Sequence, residues 1–212
     1  MDRLCLFDLD GTLTDPKEGI VKSVRYALTS FGIHENEDEK LFRFIGPPLR
    51  DSFREFYGFN ETEVERAITK YREYYSETGI YECTVYEGII EMLECLQNKS
   101  ISMAIATSKP TVYAKQIARH FNFDHYFEFI AGSELDGTRS RKSEVINYVL
   151  DKVDPGRQKQ AVMIGDRKHD VIGGKECGIE TIGVTWGYGS REELDEARAG
   201  KIIDSLYELS SI

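Results

Sequence analysis

The sequence is poor in several kinds of residue, and each scarcity removes a class of function. It holds four cysteines in 212 residues (Cys5, Cys83, Cys95 and Cys177), with no C-x-x-C pair among them. That usage excludes a disulfide framework and a zinc ribbon, and reduced thiols are the expected state. The four histidines (His34, His120, His125 and His169) are scattered, and a zinc site is not expected. Basic residues are outnumbered, 27 Lys and Arg against 37 Asp and Glu, for a formal net charge of −10. Such a chain lacks the basic face that a nucleic acid or an anionic membrane surface requires. No apolar run approaches the roughly 18 residues of a membrane-spanning helix. Met1, Asp2 and Arg3 lead into a short apolar run without a small-residue cleavage site, so no signal peptide is expected and the cytoplasm is the expected location. What is present, 41% hydrophobic and 30% charged residues, describes a chain able to fold around its own core.

Five short apolar runs read as buried strands: Leu4–Phe7, Ile101–Ala106, Tyr126–Ala131, Ala161–Ile164 and Thr181–Trp186. Most are near-continuously apolar, the pattern of parallel strands covered on both faces. Helical faces lie between them, carried by Ile89, Ile90, Leu93 and Leu96, and by Val145, Ile146, Val149, Leu150 and Val153. From about residue 86 onward strand and helix alternate, which predicts an open, Rossmann-like α/β sheet. The interval between the first two strands breaks that rhythm. Ile20, Val21, Val24, Ala27, Leu28 and Phe31 recur at helical spacing, as do Leu49, Phe53 and Phe56, and then Val64, Ala67, Ile68, Tyr71 and Tyr75. Residues 16–84 therefore read as an inserted helical unit, and residues 1–15 with 85–212 as the α/β core.

The chemistry-bearing residues fall at strand ends. The first apolar run passes into Asp8-Leu9-Asp10-Gly11-Thr12, and strand alternation starts Asp8 and Asp10 on one side of its carboxyl end. Open α/β sheets bind their ligands at that end. Two carboxylates so close repel one another, and a cation is their natural counter-charge. Gly11 permits a sharp turn close to a ligand. A second acidic pair, Asp166 and Asp170, follows Ala161–Ile164, four residues apart and on one face of a helix beginning there. An all-carboxylate set suits Mg²⁺, which takes oxygen ligands. Thr107-Ser108-Lys109 places hydroxyls at the end of another strand, positioned to donate to a phosphoryl oxygen, although such residues often only cap a helix. Lys142, within Thr138-Arg139-Ser140-Arg141-Lys142-Ser143, supplies a candidate counter-charge, with Arg139 and Arg141 as rivals.

Taken in order, Asp8-Leu9-Asp10-Gly11-Thr12, Thr107-Ser108, Lys142 and Gly165-Asp166 with Asp170 resemble the four motifs of the haloacid dehalogenase superfamily. The likeness spans nearly the whole chain. The insertion resembles the helical cap of phosphoglycolate phosphatase-like and β-phosphoglucomutase-like members, and Gly46-Pro47-Pro48 its substrate-facing loop. The stretches around Lys142 and Asp166 look closer to nucleotidase-like members. The position after Lys142 departs from the pattern, carrying Ser143 where many relatives have proline. The resemblance implies that Asp8 attacks phosphorus and that Asp10 acts as acid and then base. It also implies Mg²⁺ on Asp8, the main-chain carbonyl of Asp10 and Asp166, with Asp170 bound through water or orienting the others. Thr107 and Lys142 would grip the phosphoryl oxygens, beside Gly11 and Ser108. Lys17, Arg43, Arg50 and Arg54 are candidate contacts for an acidic leaving group, and Tyr71, Tyr74 and Tyr75 for a base, although each taken singly reads better as packing or solvated surface.

The resemblance therefore implies a Mg²⁺-dependent phosphatase, phosphoglycolate phosphatase-like, acting on a small phosphorylated metabolite as a monomer or homodimer. A 5′-nucleotidase and a phosphomutase use the same residues and stay open, while a phosphate-sensing domain without catalysis needs neither nucleophile nor acid. Two nucleotide-binding architectures are excluded. No G-x-G-x-x-G follows the first strand, and Gly174-Lys175 leads into Glu176 rather than the Ser or Thr of a P-loop.

Overall fold

Four consecutive apolar residues form strand β1 (Leu4–Phe7), and all four side chains are fully buried. A strand with no polar face must be covered on both sides, and it occupies the centre of the sheet. The computed structural model describes residues 3–210; Met1 and Asp2, on which the reading of the N-terminus rests, lie outside them. The other strands are β2 (Thr14–Asp15), β3 (Thr84–Val85), β4 (Ser102–Pro110), β5 (Phe129–Ser133), β6 (Ala161–Gly165), β7 (Glu180–Val184) and β8 (Lys201–Ile203). Six form one sheet in the order β5-β4-β1-β6-β7-β8, and β2 with β3 form a separate two-stranded sheet. Leu4 aligns with Ser102 on one side and with Ala161 on the other, and every pairing of the six is parallel. The fold is the open parallel α/β sheet expected from the sequence.

The chain divides into two compact units, residues 1–15 with 85–212 and residues 16–84. In the first, helices α5 (Ile89–Asn98), α6 (Thr111–His120), α7 (Lys142–Leu150), α8 (Pro155–Gln158), α9 (Lys168–Glu176), α10 (Arg191–Glu196) and α11 (Leu206–Leu209) connect or follow the strands. Leu4, Leu6, Ala104, Ala106 and Met163 line one face of the sheet and pack with Val145, Ile146 and Val149 of α7 in a single apolar cluster. Cys5 and Phe7 point the opposite way, and Phe7 meets Phe127 edge to face at 6.1 Å. Burial pushes the Cys5 thiol up to about 12, and none of the four cysteines is in a disulfide. Among the described residues, no helix is long and apolar enough to cross a membrane.

The second unit contains α1 (Lys17–Thr29), α2 (Asp38–Phe42), α3 (Leu49–Tyr57) and α4 (Glu61–Tyr75). Phe44 organises it, with ring centroids 5.0 Å from Phe53 and 5.3 Å from Phe56. The turn from α3 to α4 is chemically specified. Gly58 takes φ 66° at the end of α3, and Asn60 and Glu63 form a reciprocal capping box at the start of α4.

Three elements depart from the sequence reading. Asp124–Tyr126 is a 3-10 turn, so β5 begins at Phe129 rather than Tyr126. Strand β8 is only three residues long and starts with an exposed lysine, leaving no apolar run to detect. Helix α2 is DEKLF and buries only Leu41, too little for a periodic signal. The core assignment predicts that Leu6→Ala lowers unfolding free energy by about 3 kcal/mol in urea titration, the usual cost of a buried leucine. A loss below about 1 kcal/mol would remove β1 from the core.

Candidate functional site

The sheet reverses its order beside β1: the chain runs outward through β4 and β5, then returns to lay β6 against β1's other edge. Ligand crevices form at such switch points, outside the carboxyl ends of the strands. Asp8 follows β1 directly, its N–H donating to the Ile164 carbonyl of β6 at 2.8 Å. The chain then turns back tightly, Gly11 N–H donating to the Thr14 carbonyl at 2.8 Å. Gly11 has φ +83°, and a Cβ there would fall onto the Asp166 carboxylate, so the position is closed to other residues twice over.

Asp8, Asp10, Asp166 and Asp170 are all buried. Carboxylate oxygens of Asp8, Asp166 and Asp170 lie within 4.8 Å of one another, the one such acidic group among the described residues. Lys142, at the start of α7, puts its Nζ 2.7 Å from Asp8 Oδ1 and 2.7 Å from Asp170 Oδ1. The same ammonium donates to the Ala106 carbonyl of β4 at 3.1 Å. Both contacts with Asp8 and Asp170 are buried ion pairs, and the three N–H groups of one ammonium suffice for the two carboxylates and the carbonyl. Of the rivals for this position, Arg139 pairs with Glu134 and stacks over Tyr148, and Arg141 pairs with Glu176. Lys142 alone reaches the carboxylates.

Asp10 stands apart from that group of three. Its Oδ2 pairs at 2.8 Å with the buried ammonium of Lys109, and its Oδ1 has no hydrogen-bond partner. Lys109 is the site residue that the sequence reading passed over. Its signal was present in Thr107-Ser108-Lys109, but a lysine at the end of a strand ordinarily reads as solvated. Thr107 is buried, and its hydroxyl accepts the Lys109 N–H at 3.3 Å; Ser108 is half-buried, and its carbonyl accepts the Ser133 hydroxyl at 2.8 Å. Asp170 Oδ2 accepts the Arg167 N–H at 3.0 Å, so this carboxylate also closes the first turn of α9.

The remaining candidates lie in the inserted unit. Arg50 pairs with Glu61 and Glu65 of α4. The Arg43 guanidinium sits 4.1 Å over the Phe56 ring, and Lys17 Nζ lies 5.8 Å from the Phe42 ring. Tyr71 and Tyr75 are buried and stack at 5.2 Å, while Tyr74 donates to Glu82 at 3.2 Å. Tyr71 and Tyr75 thus pack within that unit, and Tyr74 is hydrogen-bonded inside it.

Electrostatics make the site hungry for positive charge. Burial, then repulsion from Asp170 and Asp8, pushes the Asp166 carboxyl up to about 8. Burial raises Asp170 to about 6 against the pull of Lys142. Burial also holds Asp10 above its ordinary value despite Lys109. For Lys142 burial favours the neutral amine, but Asp170 and Asp8 outweigh it and keep the ammonium charged. When all four carboxylates are ionised, the two ammoniums leave two negative charges, which one divalent cation would balance. The donor set is all oxygen, and a carboxylate that meets one ammonium keeps further lone pairs, so the set fits a hard divalent ion.

Residues 5–184 match the haloacid dehalogenase-like hydrolase family. A 5′-nucleotidase of Pseudomonas aeruginosa is 50% identical over 189 residues, covering 89% of this chain and 85% of that protein. The tyrosine-protein kinase PtkA of Mycobacterium tuberculosis is 40% identical over 194 residues, covering 92% of this chain but 66% of that protein. Among solved structures, a predicted phosphatase from Clostridium acetobutylicum superposes with a TM-score of 0.95 at 45% identity, covering 100% of this chain and 97% of that one.

The raised carboxyls set a pH dependence. Asp166 and Asp170 bind protons more tightly in the folded chain than at the ordinary value of 3.8, so the stability they give is full below that value and is lost as pH rises through about 6 and about 8. In EDTA the melting temperature is therefore expected to fall between pH 5 and pH 8.5. Adding a divalent cation should recover more at pH 8 than at pH 5, because the ion displaces those protons. A metal-free melting temperature that rises across this range contradicts the assignment.

Proposed function

The chain belongs to the haloacid dehalogenase-like hydrolase family, and we propose that it is a Mg²⁺-dependent phosphatase, phosphoglycolate phosphatase-like, that hydrolyses a small phosphomonoester through an aspartyl-phosphate on Asp8. The observation that carries this reading is the pairing of one ammonium with each reactive carboxylate. Lys142 sits on Asp8, and Lys109 sits on Asp10. Binding alone requires no such division. Two adjacent carboxylates with separate counter-ions can serve as nucleophile and as acid.

In the first step an Asp8 oxygen forms a bond to phosphorus as the ester P–O bond breaks. Asp10 in its protonated form, which burial favours and the Lys109 ammonium opposes, gives its proton to the departing alkoxide. In the second step Asp10 takes a proton from water, whose oxygen attacks phosphorus and releases Asp8. The Thr107 hydroxyl and the Lys142 ammonium hold the equatorial phosphoryl oxygens, with backbone N–H groups near Gly11 and the Ser108 hydroxyl beside them. Asp8, Asp166 and the main-chain carbonyl of Asp10 would hold Mg²⁺, and Asp170 would orient that set. The bound ion supplies neutralisation of charge on the transferring phosphoryl group.

Residues 16–84 act in this reading as a cap that selects the ester. Lys17 and Arg43 are its better candidates for a leaving group, since Arg50 is held by its own unit's Glu61 and Glu65. A nucleoside 5′-monophosphate is a second substrate reading, favoured by the 50% identity to a 5′-nucleotidase.

Asp8→Asn is expected to lower turnover of p-nitrophenyl phosphate by at least about 10³-fold, the scale of losing a covalent nucleophile. EDTA should abolish wild-type turnover and Mg²⁺ restore it. Near-wild-type activity in Asp8→Asn sinks the nucleophile assignment. A panel of 2-phosphoglycolate, nucleoside 5′-monophosphates and sugar phosphates, ranked by kcat/KM, separates the substrate readings.

A further inference from the structure

The loop after β7 runs Thr185-Trp186-Gly187-Tyr188-Gly189-Ser190 and lies directly on Asp166. We infer that Tyr188 is a positioning residue for Asp166, holding that carboxylate through its main-chain N–H while its own hydroxyl is anchored on Asp15. The inference rests on the reading that Asp166 helps to hold the divalent ion.

The Tyr188 N–H donates to Asp166 Oδ2 at 2.7 Å. Its hydroxyl, on the other side of the same residue, donates to Asp15 Oδ1. A second tie runs in parallel: Trp186 Nε1 donates to the Thr12 carbonyl at 3.1 Å, and the Thr12 hydroxyl donates to Asp166 Oδ1 at 3.4 Å. Both oxygens of Asp166 are thereby fixed from the segment Thr12–Asp15 and the loop bearing Tyr188. The flanking glycines make the approach possible. A Cβ on Gly187 would fall onto the Asp166 carboxylate and the Gly11 carbonyl, and one on Gly189 onto the Asp166 main-chain carbonyl.

The need for such a hold follows from charge. Asp166 shares a 4.8 Å neighbourhood with Asp8 and Asp170, and among the described residues no lysine pairs with it as Lys142 pairs with the other two, Arg167 acting on it only through its charge. Without a counter-ion, repulsion drives its carboxylate away from the position where it can ligate. The Tyr188 N–H is the shorter of its two hydrogen bonds, but a backbone donor is only as fixed as its loop. The hydroxyl on Asp15 ties this loop, beside the Trp186 bond to Thr12, to the strand that continues from the Asp8-to-Gly11 turn. The ion then meets a carboxylate already in place, and the ordering cost falls on folding rather than on binding.

Isothermal titration calorimetry of the EDTA-treated protein with MgCl₂ tests this without turnover. Tyr188→Phe keeps the N–H and loses the anchor, and is expected to weaken Mg²⁺ binding by about 3–10-fold, below the 10–100-fold of a direct ligand partner. Asp15→Ala should cost the same, the double variant no more than either single, and Asp15→Asn, which keeps an acceptor, less than about twofold. Thermal melts identify any variant that fails to fold, and Asp15→Ala then stands in for Tyr188→Phe. Folded variants with wild-type Mg²⁺ affinity overturn the inference, as do fully additive losses, since a merely structural contact would lower melting temperature alone. Asp166→Asn reports on the underlying reading. Wild-type affinity in that variant, or no Mg²⁺ binding by the wild type, removes the reading and the inference together, whereas loss in Asp166→Asn with none in Tyr188→Phe removes the inference alone.

Discussion

Lys142 lies between the buried carboxylates of Asp8 and Asp170, 2.7 Å from each, and the site is organised around that ion triad. Burying one unpaired carboxylate is costly, and burying several together is prohibitive without compensation. The ammonium supplies it, and its placement demands three elements at once. Helix α7 must begin under the sheet, β1 must end at Asp8, and α9 must turn Asp170 inward. Lys142 also donates to the Ala106 carbonyl, so β4 enters the same constraint. A parallel sheet meets the demand because its strand ends, and the helices following them, converge on one edge.

The compensation is deliberately incomplete in its consequences. Lys109 balances Asp10 and Lys142 is shared by two carboxylates, leaving Asp166 raised to about 8 and in want of a cation. Such a centre costs stability in the metal-free chain, and the apolar cluster beneath the sheet must absorb that cost. The same imbalance lets an acidic protein handle phosphate. Net charge −10 repels polyanions over the surface as a whole, yet a divalent ion held by the carboxylates would reverse the sign locally.

The inserted helical unit obeys a different logic. Its basic residues are largely spent on its own acidic neighbours: Arg50 and Arg54 on Glu61, Lys22 on Glu18 and Glu82, Arg25 on Asp38. Exposed pairs of this kind contribute little to stability, but they leave few cations for a ligand. Arg43, stacked on Phe56, Arg66, over Phe31, and Lys17, near Phe42, are cations of this unit held against aromatic rings. Aromatic packing around Phe44, rather than charge, holds the unit together.

Sequence alone determined the parallel sheet, because its buried strands are apolar on both faces and repeat with amphipathic helices between them. It also determined the four carboxylates, because Asp8, Asp10, Asp166 and Asp170 follow such strands at spacings that share a side. Short or weakly buried elements escaped it: β8 has three residues, and α2 buries only Leu41. What only the tertiary structure decided is which cation meets which carboxylate. Lys142, Arg139 and Arg141 are equivalent in composition and lie within four positions, and their partners are 28 to 134 residues away or on adjacent turns. The roles of Lys109 and Tyr188 were hidden for the same reason, although Lys109 itself stands in the Thr107-Ser108-Lys109 stretch. Each acts through a partner remote in the chain, Asp10 and Asp166, and no local pattern of residues records a contact that exists only once the sheet has brought its strand ends together.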